Sequence, residues 1–322
     1  MQSHNDGASR LFLSADLVGS TARKQTNLDE WLADLLGFYQ QFPVMVEENF
    51  TEARDGYSVE LDGEVPRPEL WKAVGDELIF SCVIRNEHHV HLAVKGFVAA
   101  LAQWSGRVLT KKEALPLKGG AWLATFPLPD RAVAVISNTR ALPTQLFDPD
   151  RAPEHNNRNL LTAIEADQYT KVIWMDFVGP SMDTGFRVIA NATPRRFMLS
   201  LEAAWLYAEA AGSSADGELF LEGEIQMKGV WGGRGYPLFW LDTKHQHSGQ
   251  PMLDQILGTK PSSPALVCEL ARALCTGDDG WVTKIYVPDS KTVALKTHHA
   301  QIEEEVTRLL QVEDTQGEVP EL

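Results

Sequence analysis

Cysteine is scarce in this chain. There are three, Cys82, Cys268 and Cys275, and none stands at a CxxC spacing. An odd, scattered set reads as structural thiols in a reducing, cytoplasmic compartment. Basic residues are also few: 29 Lys and Arg against 44 Asp and Glu leave a net charge of −15. That balance works against a broad face for long polyanions, so no nucleic acid is expected as a partner. A small phosphate ligand needs only two or three local groups and is not excluded. No apolar run reaches the ~18 residues of a membrane span, so none is expected. The opening MQSHNDGASR has no charged-then-apolar leader pattern. There is no internal repeat.

What is present alternates between strand and helix patterns. RLFLSADLV reads as a strand buried on both faces. TNLDEWLADLLGFYQQF reads as a helix capped by Asn27 with Glu30, its apolar period running Leu28, Trp31, Leu32, Leu35, Leu36, Tyr39. TEARDGYSVELDGEVPRP is a polar loop. ELWKAVGDELIFSCVI is a hairpin turning at Val74-Gly75-Asp76-Glu77. HHVHLAVKGFVAALAQW is a helix with a solvated histidine start, and LPLKGGAWLATFP a strand. Residues 137–160 form a long polar insertion. KVIWMDFVG is a strand, PSMDTGFRVIANAT a short helix capped by Asp183, RRFMLS a strand and LEAAWLYAEAAG a helix. ELFLEGEIQMKGVWGGRGYPLFWLD gives two strands around a Lys-Gly-Val turn. Hairpins mixed with helices predict an α+β sandwich on one mainly antiparallel sheet. After about residue 245 a linker leads to short helices around one strand, WVTKIYV, and to a loose acidic tail.

Two carboxylates stand out. Asp16 lies inside an apolar strand, and Asp76 at the tip of an apolar hairpin. A bare buried carboxylate is costly unless paired, hydrogen-bonded or metal-bound. Either one alone reads as a turn or cap aspartate. Together, with Gly19-Ser20-Thr21 just beyond Asp16, they point further. Two hard oxygen ligands on adjacent strands suit Mg²⁺ or Mn²⁺. The main-chain N–H groups of a Val-Gly-Ser-Thr turn that enters a helix can cradle phosphate oxygens. Such a site suits two-metal phosphoryl chemistry.

In LFLSADLVGST, in LWKAVGDELIF and in IQMKGVWGGRGYPLFWL the chain resembles the class III nucleotidyl cyclase family. The resemblance touches much of residues 10–242. It implies a ferredoxin-like βαββαβ core with a mainly antiparallel sheet and packed helices. Residues 1–245 would be the catalytic domain and residues 246–322 an α-rich extension. It implies a homodimer with composite sites, acting on a nucleoside triphosphate. Asp16, Leu17 and Asp76 would hold two divalent cations, Mn²⁺ or Mg²⁺, and Lys72 would contact the base. Leu17, Val18, Gly19, Ser20 and Thr21 would lie at the phosphates, with Asp183 and Lys228 as further substrate contacts.

The family's asparagine and arginine, four residues apart on a late helix, are not found in that order. In MDTGFRVIANATPRR, Arg187 and Asn191 take these places on one helical face. A rival alignment uses Asn191 and Arg195. An arginine here would stabilise charge on the α-phosphate.

GPSMDTGFR and the chain's size look like the pyrimidine cyclases of bacterial antiphage Pycsar systems. That implies UTP or CTP converted to cyclic UMP or cyclic CMP, read by an effector protein. Tyr57 is then a candidate for narrowing the base pocket. Lys72 is compatible with adenine too, so an adenylyl or guanylyl cyclase stays open. Also open are an inactive nucleotide-binding regulatory module and a polymerase-like palm. The paired carboxylates speak against the module, and the lack of a Gly-Gly-Asp-Glu-Phe hairpin against the palm.

Overall fold

The computed structural model describes residues 7–61, 63–111, 115–212, 219–244, 249–276, 284–296, 300, 302–304 and 307–308. The first half runs β1 (Ala8–Leu17), α1 (Ser20–Thr26), α2 (Leu28–Asp55), β2 (Glu69–Val74), β3 (Glu77–Ile84), α3 (Glu87–Lys111), β4 (Leu117–Phe126) and β5 (Arg131–Ile136). The second half runs α4 (Pro153–Glu165), β6 (Ile173–Val178), α5 (Pro180–Ile189), β7 (Arg196–Leu199), α6 (Leu201–Ala211), β8 (Leu219–Gln226), β9 (Gly235–Asp242), α7 (Gln250–Leu257) and α8 (Pro264–Thr276). The described residues form two compact units, one falling within residues 10–123 and 184–283, the other within residues 1–9, 124–183 and 284–322.

The larger unit is built on a seven-stranded sheet ordered β2-β3-β1-β4-β7-β9-β8. Its first four strands, with α2 and α3 as crossovers, make the expected ferredoxin-like βαββαβ unit. The β2–β3, β7–β9 and β8–β9 pairs are antiparallel and β4–β7 is parallel. The sheet is therefore mainly antiparallel and the fold is α+β, as the pattern predicts.

One face of the sheet carries an aromatic core. Phe38 and Phe42 of α2 meet Phe97 and Trp104 of α3, Phe80 of β3 and, through Phe97, Phe197 of β7. On α3, Gly96 has no Cβ because one would stand 2.7 Å from the Phe50 Cα of α2. Asn27 caps α2 as expected, its side chain accepting the Glu30 N–H at 3.2 Å.

Three expectations for this unit are corrected. First, α2 continues through Pro43 to Asp55, because Met45, Val46 and Phe50 prolong the buried stripe begun by Phe38 and Phe42. Second, Leu28, Leu32 and Leu36 of the predicted apolar period are exposed. Third, the start of α3 is not solvated. His89 is buried, and its N–H donates to the Asn86 side chain at 3.1 Å.

In the smaller unit, β5 and β6 form an antiparallel pair against α4, with Leu160, Ala163 and Ile173 at the centre. The predicted polar insertion thus holds most of a helix, since Leu160 and Ala163 give it an apolar face. The backbone N–H groups of Ser181 and Met182, at the start of α5, donate to Asp130 Oδ1 at 3.0 and 3.3 Å. Asp130, fully buried, is therefore the cap. Asp183 is not: it is exposed inside the first turn, its own N–H bonded to Gly179. Burial pushes the Asp130 carboxyl above its ordinary range, against the pull of those N–H groups. Of the predicted strand WVTKIYV, residues 281–283 lie outside the described residues and 284–287 are not strand.

All three cysteines are buried and free, as structural thiols should be. Among the described residues no helix is long and apolar enough to cross a membrane. Gly96→Ala would force α3 off α2 and cost about 1–3 kcal/mol. A lower urea midpoint than wild type is the expected result.

Candidate active site

Asp16 is the last residue but one of β1 and shares a face with Phe12 and Ser14, because side chains alternate along a strand. The neighbours of β1 are β3 and β4. They bring Glu77, first in β3, and Lys118, second in β4, to the same place. Lys118 Nζ stands 3.2 Å from Asp16 Oδ2. The Ser14 hydroxyl donates to Glu77 Oε1 at 2.5 Å. Asp76 sits in the β2–β3 turn after Gly75, which has a φ of 64°. The Leu17 N–H donates to the Asp76 carbonyl at 3.2 Å, so the hairpin is fastened to the end of β1 by backbone. The Tyr39 hydroxyl donates to the Gly75 carbonyl.

Beside Asp16 an open cavity of about 200 Å³ is lined by Ser14, Asp16, Glu77, Lys118, Phe186 and Ile189 among others; Asp76 stands outside its lining. Burial raises the Asp16 carboxyl above its ordinary range; Lys118 opposes the shift and Asp76 adds to it. Burial likewise raises Glu77, with the Ser14 hydrogen bond and Lys118 opposing and both aspartates adding. Three carboxylates thus act on one another around a single ammonium among the described residues. The excess is two negative charges, the charge of one divalent cation.

That donor set fits the divalent ions implied above: hard carboxylate oxygens, with negative charge to spare. Among the described residues no three His, Cys, Asp or Glu side chains gather closely enough to form a metal shell. Waters or ligand oxygens would fill the remaining positions, as Mg²⁺ commonly requires.

Other predicted residues fall in different places. The Leu17 amide is bonded to Asp76, and the Val18 N–H to the Pro116 carbonyl at 2.8 Å, so neither is open to phosphate. The Ser20 hydroxyl accepts from Trp31 Nε1 at 2.8 Å. Gly19, in the left-handed region, turns the chain into α1. The opening amides of that helix, Ser20, Thr21 and Ala22, have no partner within it.

Lys72 lies on the edge strand, its Nζ 3.9 Å from the centre of the Trp71 ring. The Tyr57 hydroxyl bonds His88 Nδ1 at 2.8 Å, and its ring tilts against His91. These histidines follow the end of β3 remote from Asp76, about 25 Å along that strand. Tyr57 therefore does not narrow this chain's cavity. Lys228 is exposed in the turn after β8, four places from β1 in the sheet.

Arg187 and Asn191 are exposed on α5 and beyond it, and neither lines the cavity. The Asn191 amide donates to the Arg187 carbonyl at 2.9 Å. Arg195 is fully engaged elsewhere. It donates to Asp242 Oδ2 at 3.1 and 3.0 Å, and to Asp254 at 2.7 and 2.8 Å. The rival assignment of Arg195 fails on this geometry. Sequence reading does not single out Ser14, Glu77 or Lys118. Ser14 is two positions before Asp16 and Glu77 follows Asp76, but Lys118 becomes visible only once β4 is known to flank β1.

No protein-family model matches the chain, and no curated protein does. Solved structures with a similar arrangement are cyclase domains. The adenylyl cyclase CyaB from P. aeruginosa has a TM-score of 0.45 at 11% identity, covering 73% of this chain and 94% of that one. The guanylate cyclase domain of RhGC from Catenaria anguillulae, solved with GTP, has a TM-score of 0.45 at 10% identity, covering 73% and 97%. The guanylyl cyclase Cya2 has a TM-score of 0.41 at 15% identity, covering 74% and 92%. At these scores any functional reading rests on the site itself.

Arg195→Ala would leave Asp242 buried without its counter-charge and cost about 3 kcal/mol. Arg187→Ala, on an exposed side chain, should leave the denaturation midpoint within error of wild type. Arg195 holds the Asp254 carboxyl below its ordinary range, largely through their hydrogen bonds. The Asp254 contribution is thus complete above the ordinary carboxylate pKa, about 4. It is lost as pH falls through the depressed value. The difference in urea midpoint between wild type and Arg195→Ala should therefore narrow, without closing, from pH 6 down to pH 3.

Proposed function

We propose that this chain is a nucleotidyl cyclase that converts a pyrimidine nucleoside triphosphate, UTP or CTP, into a 3′,5′-cyclic nucleotide and pyrophosphate. The observation that carries the cyclase reading is Asp16 and Glu77 on neighbouring strands in the wall of one cavity, with Asp76 in the adjoining turn acting on both. The pyrimidine base, the catalytic domain at residues 1–245 and the role as an antiphage messenger acting through an effector rest on the sequence resemblance.

The reaction is an intramolecular in-line displacement. The ribose 3′-oxygen forms a bond to the α-phosphorus, the bond to the β-phosphate oxygen breaks, and the 3′-hydroxyl proton passes to solvent. Bound divalent ions would acidify the 3′-hydroxyl and neutralise the triphosphate. Asp16 and Asp76 would hold those ions, and the amides of Ser20 and Thr21 would support the departing phosphates. Lys72 contacts the base. Arg187 neutralises charge growing on the α-phosphate, supplied by a second copy of the chain. Its exposure away from this chain's own cavity is what that role requires. Exposed Leu28, Leu32 and Leu36, one helical turn apart, give an apolar face that a second copy would cover.

Incubation with each of the four nucleoside triphosphates and Mn²⁺ should yield a cyclic product from UTP or CTP. A product from ATP or GTP alone would overturn the pyrimidine assignment and keep the cyclase. Asp16→Asn should abolish product while leaving the melting curve cooperative. Arg187→Ala should lower kcat about 10²–10³-fold. Mixing the two inactive chains should restore part of the activity; no recovery despite subunit exchange would refute the shared site.

A further inference from the structure

The charge at the site has an internal partner that the proposed chemistry does not use. Lys118 Nζ is 3.2 Å from Asp16 Oδ2, with both side chains about a third exposed at 32% and 28%. The same ammonium also acts on Glu77. Its position is fixed by backbone. Lys118 enters β4 one residue before Gly119, where a Cβ would overlap the Ser14 carbonyl oxygen of β1. That close approach sets Lys118 beside Asp16 across the strand pair. The ammonium therefore stands where a cation bound to Asp16 would be drawn.

We infer that Lys118 is an exchangeable counter-ion. It neutralises Asp16 when no metal is bound and must leave that carboxylate when a divalent ion binds. Glu77 offers the displaced ammonium a second carboxylate beside it. The triphosphate offers a third anion, so ions that arrive with nucleotide meet less competition than ions that arrive alone. The metal requirement of the free protein is thereby set higher than its carboxylates would give. This inference rests on the reading of Asp16 and Asp76 as metal ligands.

The test is direct Mn²⁺ binding to the full-length, nucleotide-free protein, followed by the paramagnetic resonance signal of free Mn²⁺. Lys118→Met keeps the stem and removes the charge. It should bind Mn²⁺ about tenfold more tightly, the full Coulomb term being reduced by solvent at this partly exposed pair. Lys118→Arg should stay near wild type. In EDTA, Lys118→Met should melt below wild type, and Mn²⁺ should close the gap. Equal Mn²⁺ affinity in wild type and Lys118→Met, with Asp16→Asn unable to bind, overturns the counter-ion role and leaves the metal ligands standing. Binding that survives Asp16→Asn, or no binding in any variant, overturns both.

Discussion

Asp16 can stay on a central strand because Lys118 holds an ammonium against it. That pairing constrains the strands around it. It needs β1 between β3 and β4, and it needs β4 close enough for the Gly119 backbone to touch Ser14. At the same end of β1 the β2–β3 turn is drawn in, the Leu17 amide donating to the Asp76 carbonyl. A main-chain bond thus ties the segments that carry the two aspartates.

Much of this was legible in residues alone. The β1 strand, the Gly-Asp hairpin, β4 and the late hairpin are short apolar runs bounded by turn residues, and they appear where the pattern puts them. Asp16 and Asp76 stand out for the same reason, as charges among apolar neighbours. The misreadings have physical causes. Pro43 and the charges after Phe50 look like a helix end, yet Met45, Val46 and Phe50 have an aromatic core to join. The helix α4 is hidden in a polar stretch because two or three buried residues suffice to dock one face. The cap of α5 comes from Asp130, some fifty positions earlier, where no local motif can announce it. Lys118 and Glu77 are likewise neighbours of Asp16 through sheet order, which a one-dimensional pattern does not contain.

The two arginines of the late segment show how structure divides similar candidates. Arg195 spreads its planar guanidinium over Asp242 and Asp254, tying β9 to α7 through charge-assisted bonds. Moving it to a phosphate would break all four of these hydrogen bonds. Arg187 makes no such side-chain ion pair among the described residues, and its exposed place on α5 suits a role toward another molecule.

The face opposite the helical core joins these parts mechanically. A register shift between Leu70 and Lys72 marks a bulge at Trp71, and bulges re-aim the side chain they carry. Trp71 thus meets Phe12 edge-on at 5.2 Å, Phe12 stacks on Trp122 at 5.3 Å, and Trp122 meets Phe186 of α5 at 5.2 Å. Gly185 allows that last contact, since a Cβ there would overlap the indole. One row of rings therefore runs from the strand of Lys72, past the face of Asp16, to the helix of Arg187. Packed aromatic rings are stiff, and a shift at one end must displace the next ring or open a void. The strands of Lys72 and Asp16 and the helix of Arg187 are in this way referenced to a common floor within each copy. With Arg187 supplied by a second copy, the floor fixes how each chain presents its own residues, and the contact between copies sets the spacing a substrate must fit.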